Sequence, residues 1–136
     1  AGIRNGFEID RPLPHKIFFF IHKGMTRYND AFRKVYGPSE RTDRIIQLKA
    51  LTRWGAYYVL REDLMGSLEP GKYADFIVLD RDYLTIAEDD IPNIRVLMTV
   101  VGGKAVHLVP SLANEIKAEP VGPITWKRKP LAKFFP

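Results

Sequence analysis

The chain has 136 residues, about one domain's length and enough to bury a real core. Its 46% apolar and 27% charged residues are ordinary for a globular protein, and the absence of cysteine excludes disulfides and thiolate metal sites. The formal charge is +5, and no apolar run approaches the roughly 20 residues that cross a bilayer, so no membrane helix is expected.

The amino end lacks the basic, apolar, small-residue succession of a secretory signal, and the expected compartment is the cytoplasm. Ala1 stands where an initiator Met would be, which suggests a processed start or a cut edge. The first predicted element is a strand in NGFEID (5–10), ending at Asp10 because Arg-Pro-Leu-Pro follows and two prolines so close halt a regular element. Residues 17–34 are apolar and then basic, which predicts one helix with a weak point at Gly24. YGPSE (36–40) reads as a loop from its Gly-Pro pair.

Thr42-Asp43 opens the clearest helix, with Thr42 expected to cap the free amides and Asp43 to complement the helix dipole. Ile45, Leu48, Leu51, Thr52, Gly55 and Val59 recur at three- and four-residue spacing and predict one apolar face. Gly66 is the expected stop, and Pro70-Gly71 a tight turn with Gly where positive φ is needed.

The period then changes to two. ADFIVLD (74–80) predicts a strand, and IRVLMTVV (94–101), Gly102-Gly103 and KAVHLV (104–109) predict a hairpin on a two-residue turn. AEDDIPN (87–93) is an acidic connector, and beyond Pro110 the prolines at 120, 123, 130 and 136 argue against a long regular element. The order is one strand, two helices and then three or more strands, an α+β pattern whose first strand lacks a nearby partner.

GSLEPGKYADFIVLD (66–80) followed by VLMTVVGGKAVH (96–107) closely resembles the carboxyl-terminal end of metal-dependent amidohydrolases. The resemblance is greatest to the amidohydrolase family 3 branch of N-substituted formamide deformylases and D-aminoacylase relatives. It extends to ERTDRIIQLKALTRWGAYYVL (40–60) and to the GFEIDRP edge. It implies an α+β fragment: residues 1–62 as the last strand and helices of a (β/α)8 barrel, residues 63–109 as returning strands of a composite β-sandwich, and 110–136 as a proline-rich basic tail.

Active groups of such barrels stand at the carboxyl ends of strands. The resemblance therefore makes Asp10 the candidate catalytic carboxylate, which takes the proton of the attacking water and lies next to the metal. His15, five residues on, is a further metal candidate. The family's HxH pair is not in this sequence, whose histidines are His15, His22 and His107, so a divalent zinc or iron ion is expected in a full-length parent and none in this chain alone. Arg27 resembles a family arginine suited to holding a substrate carboxylate. Phe19, in the run Phe18–Ile21, either walls a substrate pocket or packs a helix onto a barrel. Glu69, Lys72 and Asp75 are expected to be structural, with Asp75 accepting backbone amides at the strand entry.

The function implied is a carboxyl-terminal fragment of a hydrolase of carbon–nitrogen bonds, inactive in isolation, with a small-molecule amide as the parent's substrate. The alternatives are a non-catalytic sandwich module or oligomerising domain, self-associating through exposed strand edges, and a binder of anionic partners through Lys127, Arg128, Lys129 and Lys133. Trp126, Phe134 and Phe135 beside those cations suit packing on a neighbour, and no nucleic-acid motif accompanies them.

Overall fold

The structure is a computed structural model that describes residue 4, residue 6 and residues 17–122. The expected strand ending at Asp10 and the basic tail from residue 123 lie outside the described residues.

Helix α1 (Ile17–Thr26) buries Phe18, Ile21 and Met25, which share one face by their three- and four-residue spacing. They join Tyr83, Ile91 and Ile94 in the main apolar cluster, against which Leu51, Leu79 and Val96 pack. The helix stops eight residues short of the expected end at residue 34. Arg27 adopts a left-handed φ of 56°, and its amide donates to the Lys23 carbonyl at 2.8 Å. This is a left-handed cap without its usual glycine. A two-residue antiparallel ladder follows, β1 (Tyr28–Asn29) with β2 (Lys34–Val35), and then a short 3-10 turn over Pro38–Glu40.

Gly24 is no weak point. A Cβ there would collide with the carboxamide of the buried Gln47, so the glycine is where the next helix comes closest to α1. Thr42 reaches into the same junction, accepting from Gln47 Nε2 at 2.6 Å and donating to the Gly24 carbonyl at 3.4 Å. The cap is therefore Asp43, whose carboxylate accepts from the Ile46 amide at 2.7 Å.

The single helix expected from residue 42 is two: α2 (Arg44–Leu51) and α3 (Arg53–Tyr58). They divide at Thr52, whose φ and ψ of −119° and −91° are not helical and whose hydroxyl bonds back to the Leu48 carbonyl at 2.7 Å. Gly66 lies against this break, where a Cβ would sit 2.6 Å from that of Ala56 and 3.0 Å from the Thr52 carbonyl. Its role is close approach, since the helix has already ended. The stop is Leu60, at φ 54°, with Arg61 N bonded to the Ala56 carbonyl and Leu60 N to that of Tyr57, the paired bonds of a Schellman cap. The expected apolar face does form, but Ile45, Leu48 and Val59 stay exposed. Its Leu48, Leu51, Gly55 and Val59 line an open groove that faces the sheet.

Glu69 through Lys72 make the expected turn, closed by Lys72 N on the Glu69 carbonyl at 3.1 Å with Gly71 at φ 89°. The sheet is antiparallel, in the order β3 (Phe76–Leu79), β4 (Val96–Val101), β5 (Lys104–Leu108). Phe76 lies opposite Val100 and Val78 opposite Met98, and a bulge precedes Leu79. Gly102 and Gly103 both have positive φ, 56° and 77°, as the two-residue hairpin requires. The acidic connector is a 3-10 helix, Glu88–Asn93, that packs on α1 and buries Ile91. A short helix, α4 (Pro110–Ile116), places Pro110 in its first turn, where a missing amide hydrogen costs nothing.

Candidate functional site

Of the four residues singled out for chemistry, Asp10 and His15 lie outside the described residues. Phe19 and Arg27 are described, and they line one cleft of about 560 Å³ together with Lys23, Tyr28, Asp30 and Tyr36. The cleft is local in sequence: α1 supplies Phe19 and Lys23, and the small hairpin that follows supplies the rest. Phe19, Lys23 and Arg27 follow each other at four-residue intervals, which stacks them along one side of α1 and its cap.

Lys23 Nζ stands 5.0 Å from the Phe19 ring centre and 5.4 Å from that of Tyr28, and pairs with Asp30 at 2.8 Å. Arg27 donates from Nη2 to Glu40 at 2.7 Å and from Nε to the Tyr36 carbonyl at 3.1 Å. These two bonds use two of its five N–H groups. Both acidic partners are well exposed, so these ion pairs hold the cations in place weakly, and a carboxylate ligand competes with Glu40 and Asp30 on similar terms. The cleft thus offers two cations, Lys23 above the Phe19 and Tyr28 rings and Arg27 beside them, chemistry suited to an anionic group attached to an apolar one. Lys23 was not among the expected site residues, although the four-residue spacing on either side of it was visible in the sequence.

The recognisable GSLEPGKYADFIVLD stretch folds as scaffold. Lys72 Nζ meets Ser67 Oγ and Glu69, each at 2.9 Å, which ties the turn together. Asp75 accepts from the Gly102 amide at 2.6 Å, as expected of it, and so pins the strand entry to the hairpin turn. Asp80 does the same at the far end, accepting from Arg95 N at 2.9 Å and Arg95 Nε at 2.8 Å. Burial pushes the Asp80 carboxyl up, but the Arg95 bonds and the Arg81 and Arg95 charges together outweigh it and hold the group below its ordinary value.

The other described histidines stand apart. His22 sits on α1 with Nε2 3.4 Å from Asp89, and His107 lies on β5 opposite Thr99. Among the described residues no three His, Asp or Glu side chains come together as a metal-binding group. The described part of the chain therefore does not fit the metal centre that an amidohydrolase needs.

The profile of the amidohydrolase family matches residues 11–107, from just beyond Asp10 through α1, the helices and the sheet to His107 on β5. No curated protein and no solved structure matches the chain. A match over well more than half of the sequence, running through the turn and strands that Asp75 and Asp80 tie together, settles the kinship: the chain belongs to the amidohydrolase family.

Proposed function

We propose that the chain is the carboxyl-terminal portion of a metal-dependent hydrolase of carbon–nitrogen bonds, in the branch of N-substituted formamide deformylases and D-aminoacylase relatives. The observation that carries the reading is the family match over residues 11–107, which begins just after Asp10 and ends in the β4–β5 hairpin. In this reading residues 1–62 close a (β/α)8 barrel and residues 63–109 return to a composite sandwich. Asp10 takes a proton from the water that attacks the amide carbon and returns it to the leaving nitrogen. Arg27 and Phe19 receive the substrate's carboxylate and apolar part, and the cleft that holds both supports that assignment. The divalent metal belongs to histidines upstream of this sequence, and the chain alone neither holds it tightly nor turns over substrate.

The test has two parts. The 136-residue chain, dialysed against zinc and assayed with an N-substituted formamide and an N-acyl-D-amino acid, is expected to retain no stoichiometric metal and to hydrolyse neither. The reading frame upstream of Ala1 is expected to encode an HxH strand. Turnover by the chain alone would refute its incompleteness, and an upstream stop codon without that strand would remove the catalytic role of Asp10.

A further inference from the structure

We propose that the cleft lined by Phe19, Arg27, Tyr28 and Tyr36 takes a carboxylate that carries an aromatic group, and that Tyr36 is the residue that selects the aromatic group. As a statement about substrate class it rests on the hydrolase reading, whose Arg27 and Phe19 belong to the same cleft.

The relation between Arg27 and Tyr36 is the starting point. The two residues are tied twice: the Tyr36 amide donates to the Arg27 carbonyl at 3.0 Å, and Arg27 Nε donates to the Tyr36 carbonyl at 3.1 Å. An anion-binding fork and an aromatic ring are thus set at a fixed spacing in a cleft that both line. Nε and Nη2 engage two of the five N–H groups of the guanidinium, which leaves three. A carboxylate therefore finds donors on Arg27 whether or not Glu40 gives way.

Two side chains that do not line the cleft hold the Tyr36 ring. Phe32 meets it edge to face, with centres 6.4 Å apart and planes at 74°, and Lys34 Nζ stands 5.5 Å from its centre. Tyr36 is nonetheless 46% exposed, so ring surface remains for a ligand. Lys23 plays a different part from Arg27. It spans the Phe19 and Tyr28 rings and pairs with Asp30, which fixes those two walls. Its side chain is 22% exposed against 39% for Arg27, so Arg27 is the cation that a ligand reaches first.

An aliphatic group would fill such walls by area alone. An aromatic group adds directional contact between rings, which amounts to a preference of about two- to tenfold. All the residues named lie between positions 19 and 40, so the cleft is formed by this chain and is tested without the upstream barrel strands.

The test is an NMR titration of the metal-free 136-residue chain with phenylpropionate, cyclohexylpropionate and phenylpropionamide. Phenylpropionate is expected to shift the Arg27 Nε and Tyr36 amide signals. Cyclohexylpropionate, more hydrophobic but not aromatic, should bind about two- to tenfold more weakly. The uncharged amide should lose about tenfold or more, because the bond to the guanidinium is no longer charge-assisted. Tyr36→Leu keeps the main-chain groups that tie this position to Arg27, and should bring the ratio of phenyl to cyclohexyl affinity to about one. Shifts confined to other parts of the chain or none at all, cyclohexylpropionate binding as tightly as phenylpropionate, the amide matching the acid, or a ratio that persists in folded Tyr36→Leu would each overturn the proposal. The hydrolase reading is judged separately. Binding as described with no HxH strand upstream would keep the cleft's ligand and lose the hydrolase, whereas an upstream HxH strand with no binding would do the reverse.

Discussion

Arg44 and Tyr83 hold each other in both directions. The Tyr83 hydroxyl donates to the Arg44 carbonyl at 2.7 Å, while Arg44 Nη1 donates to the carbonyls of Tyr83 and Ile86, each at 2.9 Å. The Tyr83 ring meanwhile lies against Phe18, 6.2 Å between centres. One residue at the start of α2 and one in the loop after β3 thus join the helical part of the chain to the sheet, around the core that α1 provides.

Removing the hydroxyl tests that junction. Tyr83→Phe keeps the ring and loses one bond, and it is expected to lower stability by about 1 kcal/mol, read from urea denaturation. The same group predicts an alkaline limb. Burial of the Tyr83 phenol, opposed in part by the Arg44 charge, pushes it up to about 12. A raised value means that the unfolded chain loses the proton first, so this contribution is complete below pH about 10 and disappears as pH rises to about 12. Denaturation midpoints between those limits should fall in the parent and fall less in Tyr83→Phe.

Asp80 predicts the opposite limb. Its carboxyl is held low, so its contribution is present above the ordinary Asp range and is lost as pH falls through its depressed value. Asp80→Asn should flatten the acid side of the stability profile. It should also cost about 1.5 kcal/mol at neutral pH, the lower end for bonds to a charged group, because Arg95 is largely exposed.

Gly66 and Leu60 predict contrasting signs. Gly66→Ala places a methyl group against Ala56 and the Thr52 carbonyl at φ 90°, and is expected to cost about 2–4 kcal/mol from strain and overpacking together. Leu60→Gly relieves a left-handed leucine whose side chain is 79% exposed, and a gain of up to about 1 kcal/mol is expected. Thermal or urea midpoints of the two variants check both.

The cleft makes a kinetic prediction for a longer enzyme that contains these residues. Arg27→Gln should raise KM with kcat little changed if the guanidinium anchors a substrate carboxylate, since such binding is equal in ground and transition states. Unchanged kinetics would remove Arg27 from the substrate site. Lys23→Met, at the neighbouring cation, should raise KM in the same direction.

Much of the fold follows from short-range chemistry, and that part was legible in the sequence. Gly102-Gly103 between two β-branched runs fixes a hairpin because only glycine takes both positive φ angles freely, and the turn at Pro70-Gly71 follows for the same reason. The spacing of Phe18, Ile21 and Met25 and the strand pattern of ADFIVLD are equally local. The family resemblance carried by that stretch was legible too, and the match over residues 11–107 agrees with it.

Tertiary contacts decided the rest. Leucine and arginine end helices at Leu60 and Arg27, in a conformation their propensities do not announce, because surrounding packing outweighs about 1–2 kcal/mol of local strain. Gly24 and Gly66 read by propensity as a weak point and a stop, but each is a place where another element approaches too closely for a Cβ. The cleft of Phe19, Lys23 and Arg27 shows the same division. Their four-residue spacing puts them along one side of α1 and its cap by helix geometry alone, whereas the Tyr28 ring and Asp30 carboxylate beside them are placed by the left-handed turn at Arg27, which helix periodicity does not announce.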